Sequence, residues 1–532
     1  MPIESRSLRV RVPLIAAFAV LALALFAAQA SARYVYTGNY SDGTVSVIDT
    51  ATNQVVGSPI PAGDPSGPYT MAIAPNGKTL YVGNGASEDL VLINTQTNQP
   101  SGSIFLGDSP EVIAISPDGK TAYATVGDGV AVIDLQTNQA VGAPIPTGEN
   151  ALGVAFSPDG KTAYVVNEES DNVSVIDTAT RQVVGGAIPV GEEPINVVVS
   201  PDGKTLYVNN EGSDSVSVID AASRQVVGTI PVGEEPWGLG LSPNGTRLYV
   251  SNYADENVSV IDTATRQTIG APIPVGNQPY ELAVTPDGKA VYVTNYEGGG
   301  AAVGSVTVIN AQTNQVTTNL PVPGGPWQVA IGPDQSPVPA FAATASKKQP
   351  LKYSFNAAGS VDPDGTIAQF NWSFGDGLSA LNGGPSLSHT YKKAGTYAAS
   401  LTLVDNEGCS GFVFTGRTAY CNGPGPLVQS LKVKAPNNFK FGKLTRNAKN
   451  GTAKLKIKLP SPGKLTVSGK KVKQVKRGTK QAAIVTLNIR PKPKAKNQLG
   501  KTGSAKLQIK VKFAPTGGKA RTKSKTVKLI KK

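Results

Sequence analysis

The sequence predicts an all-β protein, and three observations carry that prediction. Two motifs recur seven times each along the chain. The strand formers Val, Ile, Thr and Tyr are spread throughout. No long helical pattern follows the N-terminal stretch. At 532 residues the chain has room for several domains.

The first motif is a turn, Ser-Pro-Asp-Gly-Lys-Thr followed by a Tyr-Val strand. Its prolines are Pro75, Pro117, Pro158, Pro201, Pro243, Pro286 and, in degraded form, Pro333, spaced 41 to 43 residues apart until a last step of 47. The second is Val-Ser-Val-Ile-Asp, whose final acid or amide is Asp49, Asn94, Asp134, Asp177, Asp220, Asp262 and Asn310. Each repeat reads as four short strands, as over residues 237–275, where Gly245 supplies the positive φ of the first turn. Four strands per ~40–45 residues is a propeller blade, so the repeats predict a seven-bladed β-propeller. The region begins at Tyr34 with a second strand that has no first. It ends at residues 327–331 with a first strand that has no second. Joining the two completes one blade and pairs the terminal edges, which would otherwise invite aggregation. Tyr292-Val293-Thr294-Asn295, Tyr249-Val250-Ser251-Asn252 and Tyr207-Val208-Asn209-Asn210 resemble the YVTN-family propeller repeat. That family is similar to propellers of bacterial and archaeal surface-layer-type proteins. The resemblance implies the fold and only suggests a surface role, because one fold hosts many activities.

The termini add three segments. Arg6, Arg9 and Arg11 precede an apolar run, residues 14–28, and the small residues Ala30-Ser31-Ala32. This reads as a signal peptide over 1–32, cut before Arg33. An uncut anchor is the alternative, but the run is short of the ~20 residues a spanning helix needs, so no membrane span is expected in the mature chain. The propeller then covers 33–335. From 336 the series Asp362-Pro363-Asp364-Gly365, Phe370 to Gly377 with Trp372 and Asp376, His389-Thr390-Tyr391 and Gly395-Thr396-Tyr397 resembles the PKD domain. That resemblance implies an immunoglobulin-like β-sandwich over 336–435, of a kind used extracellularly as spacer and adhesive module. Asn371 stands where that family usually has Asp. Strands separated by Gly and Asp turns agree with a sandwich, in which Trp372 would be a core anchor. Cys409 and Cys421 enclose a loop near its end, and export favours a disulfide between them over two free thiols. Residues 436–532 alternate Lys with apolar side chains, as in 453–459, 464–467, 483–489 and 505–513, and predict a small basic β-sandwich-like domain.

Charge is segregated. Residues 436–532 hold 29 Lys plus Arg and no acid, whereas 33–335 hold 31 acids against 10 bases. The basic domain is therefore expected to tether the chain to anionic cell-envelope polymers, unless it is simply a soluble Lys-covered sandwich. Specific nucleic-acid binding is not expected, since Phe439, Phe441 and Phe513 are its only aromatics. On the propeller, the loops of one face carry Asp64, Asp108, Glu149, Glu168, Glu192, Glu193, Glu211, Glu234 and Glu235 among many acids and no Lys or Arg. Such a face suits a cationic metal or partner; the alternative is a solvated acidic surface that keeps the protein soluble. After the interblade prolines stand Tyr69, Glu111, Leu152, Ile195, Trp237, Tyr280 and Trp327. Tyr69, Trp237, Tyr280 and Trp327 belong to neighbouring blades, so they form an arc suited to an unknown protein or glycan ligand, or to packing between blades. The candidate ligand site is accordingly Asp108, Glu149, Glu192, Glu193, Glu234 and Glu235 with that arc. No catalytic residue, cofactor or metal site is assigned. The propeller has no His or Cys, and the only His in the chain is His389, so triad chemistry and histidine-ligated metals are unavailable there. Carboxylate chemistry on sugars or lactones is the alternative. The reading is a secreted or cell-surface binding and adhesion scaffold.

Overall fold

A computed structural model describes residues 33–63, 67–297, 303–410, 412–417, 419–423 and 425–532. The signal-peptide reading and Asp64 fall outside them. The described chain is almost entirely β and divides into two compact units. Among the described residues, one comprises 33–338, 361–368 and 404–425, and the other 339–360, 369–403 and 426–532.

The first unit is the seven-bladed propeller. Seven antiparallel sheets follow one another, each ordered from an innermost to an outermost strand. Blade 2, for example, runs Thr70–Ile73, Thr79–Asn84, Asp89–Asn94 and Gln99–Phe105. Blade 1 is assembled from both ends of the repeat region. Tyr34–Asn39 pairs with Thr44–Asp49 on one side and with Pro326–Ile331 on the other, in the register Val35↔Ile331 and Thr37↔Val329. The ring closes as the partial repeats require. In blades 1, 3, 4 and 6 the outermost strand breaks in two, at Gly57, Gly142, Gly185 and Gly270. These four repeats carry one residue more at that place than blades 2 and 5, and the glycine's positive φ turns the chain there.

The repeat motifs have physical jobs. The motif tyrosines Tyr36, Tyr81, Tyr123, Tyr164, Tyr207, Tyr249 and Tyr292 are all buried, alternating with buried Val, Leu and Ala in the cores between sheets. The asparagine that ends the second strand is a buried clamp in six blades, as Asn39, Asn84, Asn167, Asn210, Asn252 and Asn295. Its amide bridges to the next strand. Asn210 Nδ2 donates to Ser215 Oγ and Ser217 Oγ, both at 3.0 Å, and Asn252 Nδ2 donates to Asn257 Oδ1 at 2.6 Å and Ser259 Oγ at 2.9 Å. Asn210 Oδ1 accepts from the Gly191 N–H at 3.2 Å, and Asn167 does the same for Gly148 at 3.0 Å. One side chain thus holds a hairpin and the interblade loop entering the same blade. Only glycine fits at that loop position, because a Cβ on Gly191 would lie 2.7 Å from Asn210 Cγ.

The second unit holds two sandwiches. In the PKD domain, Ala342–Ala345, Lys352–Asn356 and Ser386–Thr390 face a sheet of Ser379–Ala380, Ile367–Ser373, Gly395–Asp405 and Leu427–Val433. Trp372 is its buried anchor, ringed by Phe341 and Phe355, with Nε1 donating to the Gly384 carbonyl at 3.0 Å. The basic domain pairs Lys440–Asn447, Thr452–Leu459 and Ala483–Ile489 in one sheet. Val475–Thr479, Gly463–Ser468, Ser504–Pro515 and Arg521–Ile530 form the other, around a single apolar core. One helix, Pro493–Thr502, was not foreseen. It turns only Ala495 and Leu499 inward, too little apolar signal to stand out in a Lys-rich stretch.

Replacing Asn210 by Ala should strip four side-chain hydrogen bonds from a buried site and leave the Ser215 and Ser217 hydroxyls and the Gly191 N–H short of a partner. A loss of about 2–4 kcal/mol is expected in chemical denaturation monitored by circular dichroism, and no measurable change would mean that the clamp is dispensable.

Candidate functional site

Two positions per blade build the mouth of the channel. One opens the innermost strand and carries Tyr69, Glu111, Leu152, Ile195, Trp237, Tyr280 and Trp327 round the ring. The other follows the clamp asparagine and carries Tyr40, Gly85, Glu168, Glu211, Tyr253 and Tyr296, with Gly127 in blade 3. The first set, with Glu168 from the second, encloses a recess of about 700 Å³, open mouth included. It is lined by Tyr69, Glu111, Leu152, Glu168, Ile195, Trp237, Tyr280 and Trp327, with Asn196, Glu281 and Gln328 one residue further down the innermost strands.

The recess is two-sided. Tyr40, Tyr69, Trp237, Tyr253, Tyr280, Tyr296 and Trp327 form one continuous ring cluster, with neighbouring centroids 4.2–6.2 Å apart. All four rings of the sequence-derived arc are therefore together. Glu111 and Glu168 line the wall contributed by blades 3 and 4, and Glu211 stands beside the recess, against Trp237. Burial lifts the Glu111 carboxyl, and Asp108 and Glu168 add to that. Burial also lifts Glu168, with Glu193 and Glu169 adding to it. Glu211 is pushed up to about 7 by burial, then by the charges of Glu168, Glu235 and Glu193, against a hydrogen bond from Trp237. The six acids of the candidate list, Asp108, Glu149, Glu192, Glu193, Glu234 and Glu235, are exposed on the surrounding loops and do not line the recess. Gly-Glu-Glu-Pro occurs at 191–194 and 233–236, and its second glutamate has a left-handed backbone, φ 51° at both Glu193 and Glu235. Each donates its N–H to an aspartate of the preceding blade, Glu193 to Asp171 at 2.8 Å and Glu235 to Asp214 at 3.0 Å.

From the face of the Ser-Pro-Asp-Gly turns a hairpin enters the channel. It belongs to segment 404–425, where the sequence indicated only an extra loop closed by two cysteines. The Cys409–Cys421 disulfide is formed, with a Cα–Cα distance of 5.7 Å. Asp334–Gln335 runs parallel to Ala419–Asn422, pairing Asp334 with Cys421. The hairpin then takes up positions on the innermost strands. The Phe156 N–H donates to the Gly416 carbonyl at 2.9 Å, and Tyr420 Oη donates to the Leu241 carbonyl at 2.8 Å. Phe414 and Tyr420 are buried in the blade cores. Arg417 reaches furthest, with its guanidinium donating to Asn196 Oδ1 at 2.6 Å and Glu281 Oε2 at 3.1 Å. Glu281 is 3% exposed, so this pair supports the floor of the recess from below.

Glu281 and Arg417 were missed in the sequence reading, although a signal existed. Glu281 is the one charged residue within the seven innermost strands. Tyr40, Tyr253 and Tyr296 were likewise missed, each marked by an Asn-Tyr pair ending the YVTN strand.

A second cluster lies where the propeller ends meet. Asp334 and Asp405 are buried, with Asp362, Asp364 and Glu407 beside them. Ligand atoms of Asp334, Asp405 and Cys409 converge there, but the Cys409 sulfur is spent in the disulfide. Arg33 is the resident cation, 2.8 Å from Asp334, 3.8 Å from Asp364 and in contact with Glu407. Asp405 Oδ1 accepts the N–H groups of Glu407, Gly408 and Cys409 at 2.7–2.9 Å, fixing the start of the hairpin.

Fold and site together define a seven-bladed β-propeller carrying a PKD domain, a combination that fits a binding scaffold. Residues 334–416 match the family model described as PKD domain, and 153–271 match the one described as Lactonase, 7-bladed beta-propeller. A microbial collagenase of Vibrio alginolyticus is 32% identical over 82 residues, 15% of this chain and 10% of the collagenase. The chain thus spans about a tenth of the length of that curated relative. Among solved structures, hydrazine synthase of Kuenenia stuttgartiensis is 27% identical with a TM-score of 0.46, over 52% of this chain and 91% of that one. A Bacteroides uniformis protein provisionally classed as a 6-phosphogluconolactonase is 18% identical with a TM-score of 0.47, over 57% and 99%. The PKD domain and the disulfide are typical of extracellular proteins. Among the described residues no helix is long and apolar enough to cross a membrane.

Two outcomes follow from the charges. Arg417→Ala should cost about 3–5 kcal/mol by leaving Glu281 buried and unpaired, and the double variant Arg417→Ala/Glu281→Gln should recover most of it; equal losses would exclude the pair as the cause. For Glu211, the folded protein holds a proton that the unfolded chain releases near pH 4.5. This destabilising contribution is absent at acid pH and grows as pH rises through about 7. Thermal melts of Glu211→Gln should therefore match the parent at pH 4.5 and lie above it at pH 8.

Proposed function

We propose that the protein is an exported cell-surface or extracellular binding scaffold, in which the propeller recess holds a ligand and the Lys-rich domain tethers the chain to anionic envelope polymers. The recess supports the first half of this reading. It is concave, aromatic on one side, acidic on the other and closed below by a covalently pinned hairpin, as ligand sites commonly are. The exposed acids on the loops add a negative field around its mouth.

The charge of the basic domain supports the second half. Lys454, Lys456 and Lys458 point outward from one strand, alternating with buried Leu455 and Ile457. Alternate residues put their charges roughly 7 Å apart. Lys440 lies opposite Lys458, and in the other sheet Lys506 lies opposite Lys528. Like charges in facing positions destabilise a sheet, and no acid in residues 436–532 relieves them. A polyanion lying along the strands would supply the missing counter-charge. Lys523 and Lys525 are placed otherwise, 5.2 Å from the Phe439 and Phe441 ring centroids.

A second reading, carboxylate hydrolysis of a lactone or sugar, is favoured by one observation: the lactonase-type family match, 153–271, spans Glu168 and Glu211. Fractionation of the native producer tests the main reading. The full-length protein should remain with the washed envelope, come off in high salt, and move to the medium when Lys454, Lys456 and Lys458 are changed to Gln. Equal partition of parent and variant would rule out the tether. Hydrolysis of lactones or glycosides by the salt-washed protein, lost in Glu211→Gln, would select the enzyme instead.

A further inference from the structure

We propose that the recess takes an organic cation, an alkylated or planar ammonium group seated against Trp237, Tyr280 and Trp327 with its charge toward Glu111, Glu168 and Glu211. The inference rests on the recess being the ligand site and names the class of ligand.

Four observations lead to it. The first is the division of the wall: rings line one half and carboxylates the other, so an ammonium group between them meets the negative face of an aromatic ring and a counter-charge at once. Such contacts strengthen when water is excluded. The second is a deficit of positive charge. Among the described residues none of the three glutamates pairs with Lys or Arg. Glu111 accepts from Ser109 at 3.3 Å, Glu168 from Asn150, and Glu211 from Trp237. The Arg417 guanidinium below is already matched by Glu281. The third is spacing. Among the described residues, the recess carboxylates nowhere bring three ligand atoms within 4.8 Å of one another. A bare metal ion needs convergent oxygens, whereas a cation that spreads its charge over methyl or methylene groups does not. The fourth is the poverty of neutral hydrogen-bonding groups. Apart from the acids and the ring substituents, the polar side chains of the lining are Asn196 and Gln328. Asn196 is already committed, donating to the Trp237 carbonyl at 3.0 Å and accepting from Arg417. A neutral sugar would find few partners for its hydroxyls.

Intrinsic fluorescence reads the site directly. Of the three tryptophans, Trp237 and Trp327 line the recess, and Trp372 is 1% exposed in the PKD core and supplies a constant background. The full-length protein is titrated at fixed ionic strength with tetramethylammonium and choline, and in parallel with methyl glucoside and calcium chloride. The two ammonium ions should change the emission saturably, and the sugar and calcium should not. Glu168→Gln/Glu211→Gln should weaken the ammonium ions by about tenfold, with an unchanged thermal transition at acid pH showing that the fold is intact. Their affinity should rise between pH 6 and pH 8 as Glu211 loses its proton among Glu168, Glu193, Glu235 and the Trp237 indole. Saturation by methyl glucoside but not by the ammonium ions would overturn the cation and leave the recess as a ligand site. Tighter binding of calcium would overturn it in favour of a bare ion. Ammonium binding unaffected by the double variant would place the cation elsewhere. No response to any probe would remove both the cation and the recess.

Discussion

The pairing of Tyr34–Asn39 with Pro326–Ile331 is the constraint on which the remaining structure depends. Each blade alone is a local antiparallel sheet, and seven of them in series would leave two open edges. Closing the ring converts a string of hairpins into a channel with a fixed bore, and only then do the innermost strands face one another. The same junction sets where the chain leaves the ring. Asp334, three residues past the closing strand, meets Arg33, which precedes the first one, and pairs along Cys421 of the inserted hairpin. Closure, ion pair and disulfide occupy one place, and the hairpin is aimed from there into the channel.

The channel is thereby asymmetric. On the side of the Ser-Pro-Asp-Gly turns it is occupied by protein, with Phe414 and Tyr420 buried among the blade cores and Arg417 extended along the bore. On the opposite side it remains a cup. Repetition does not extend to chemistry: positions equivalent by repeat carry rings in blades 6, 7, 1 and 2 and carboxylates or aliphatic groups in blades 3 to 5. A sevenfold scaffold thus displays a recess of no symmetry.

The sequence made the repeat architecture legible because its determinants are local. A Pro-Asp-Gly turn, a clamp asparagine and an alternating strand each act within a few residues, and seven copies reinforce the signal. The ring arc was legible for the same reason, since blade order fixes neighbours. The long-range contacts were not. Arg417 and Asn196 are 221 residues apart, and Arg33 and Glu407 are 374 apart. Nothing in the residues around Cys409 and Cys421 says that the loop fills another domain's channel; the hint was Glu281, a charge in a strand otherwise made for burial. The loop acids were visible as charge, but turn geometry carries Asp108, Glu149, Glu192, Glu193, Glu234 and Glu235 outward; of the acids named from the loops Glu168 reaches the recess, which takes its other carboxylates from Glu111 and Glu281.

The inserted hairpin also orders events in time. Blades can form from neighbouring residues, at low cost in chain entropy. The hairpin has no place to go until the last innermost strand has joined the first, and its binding wall is drawn from Phe156, Val199 and Leu241, in three different blades. Its docking is therefore a report that the ring beneath it is complete. A chain with a misformed or missing blade would leave Phe414 and Tyr420 without the cores that bury them.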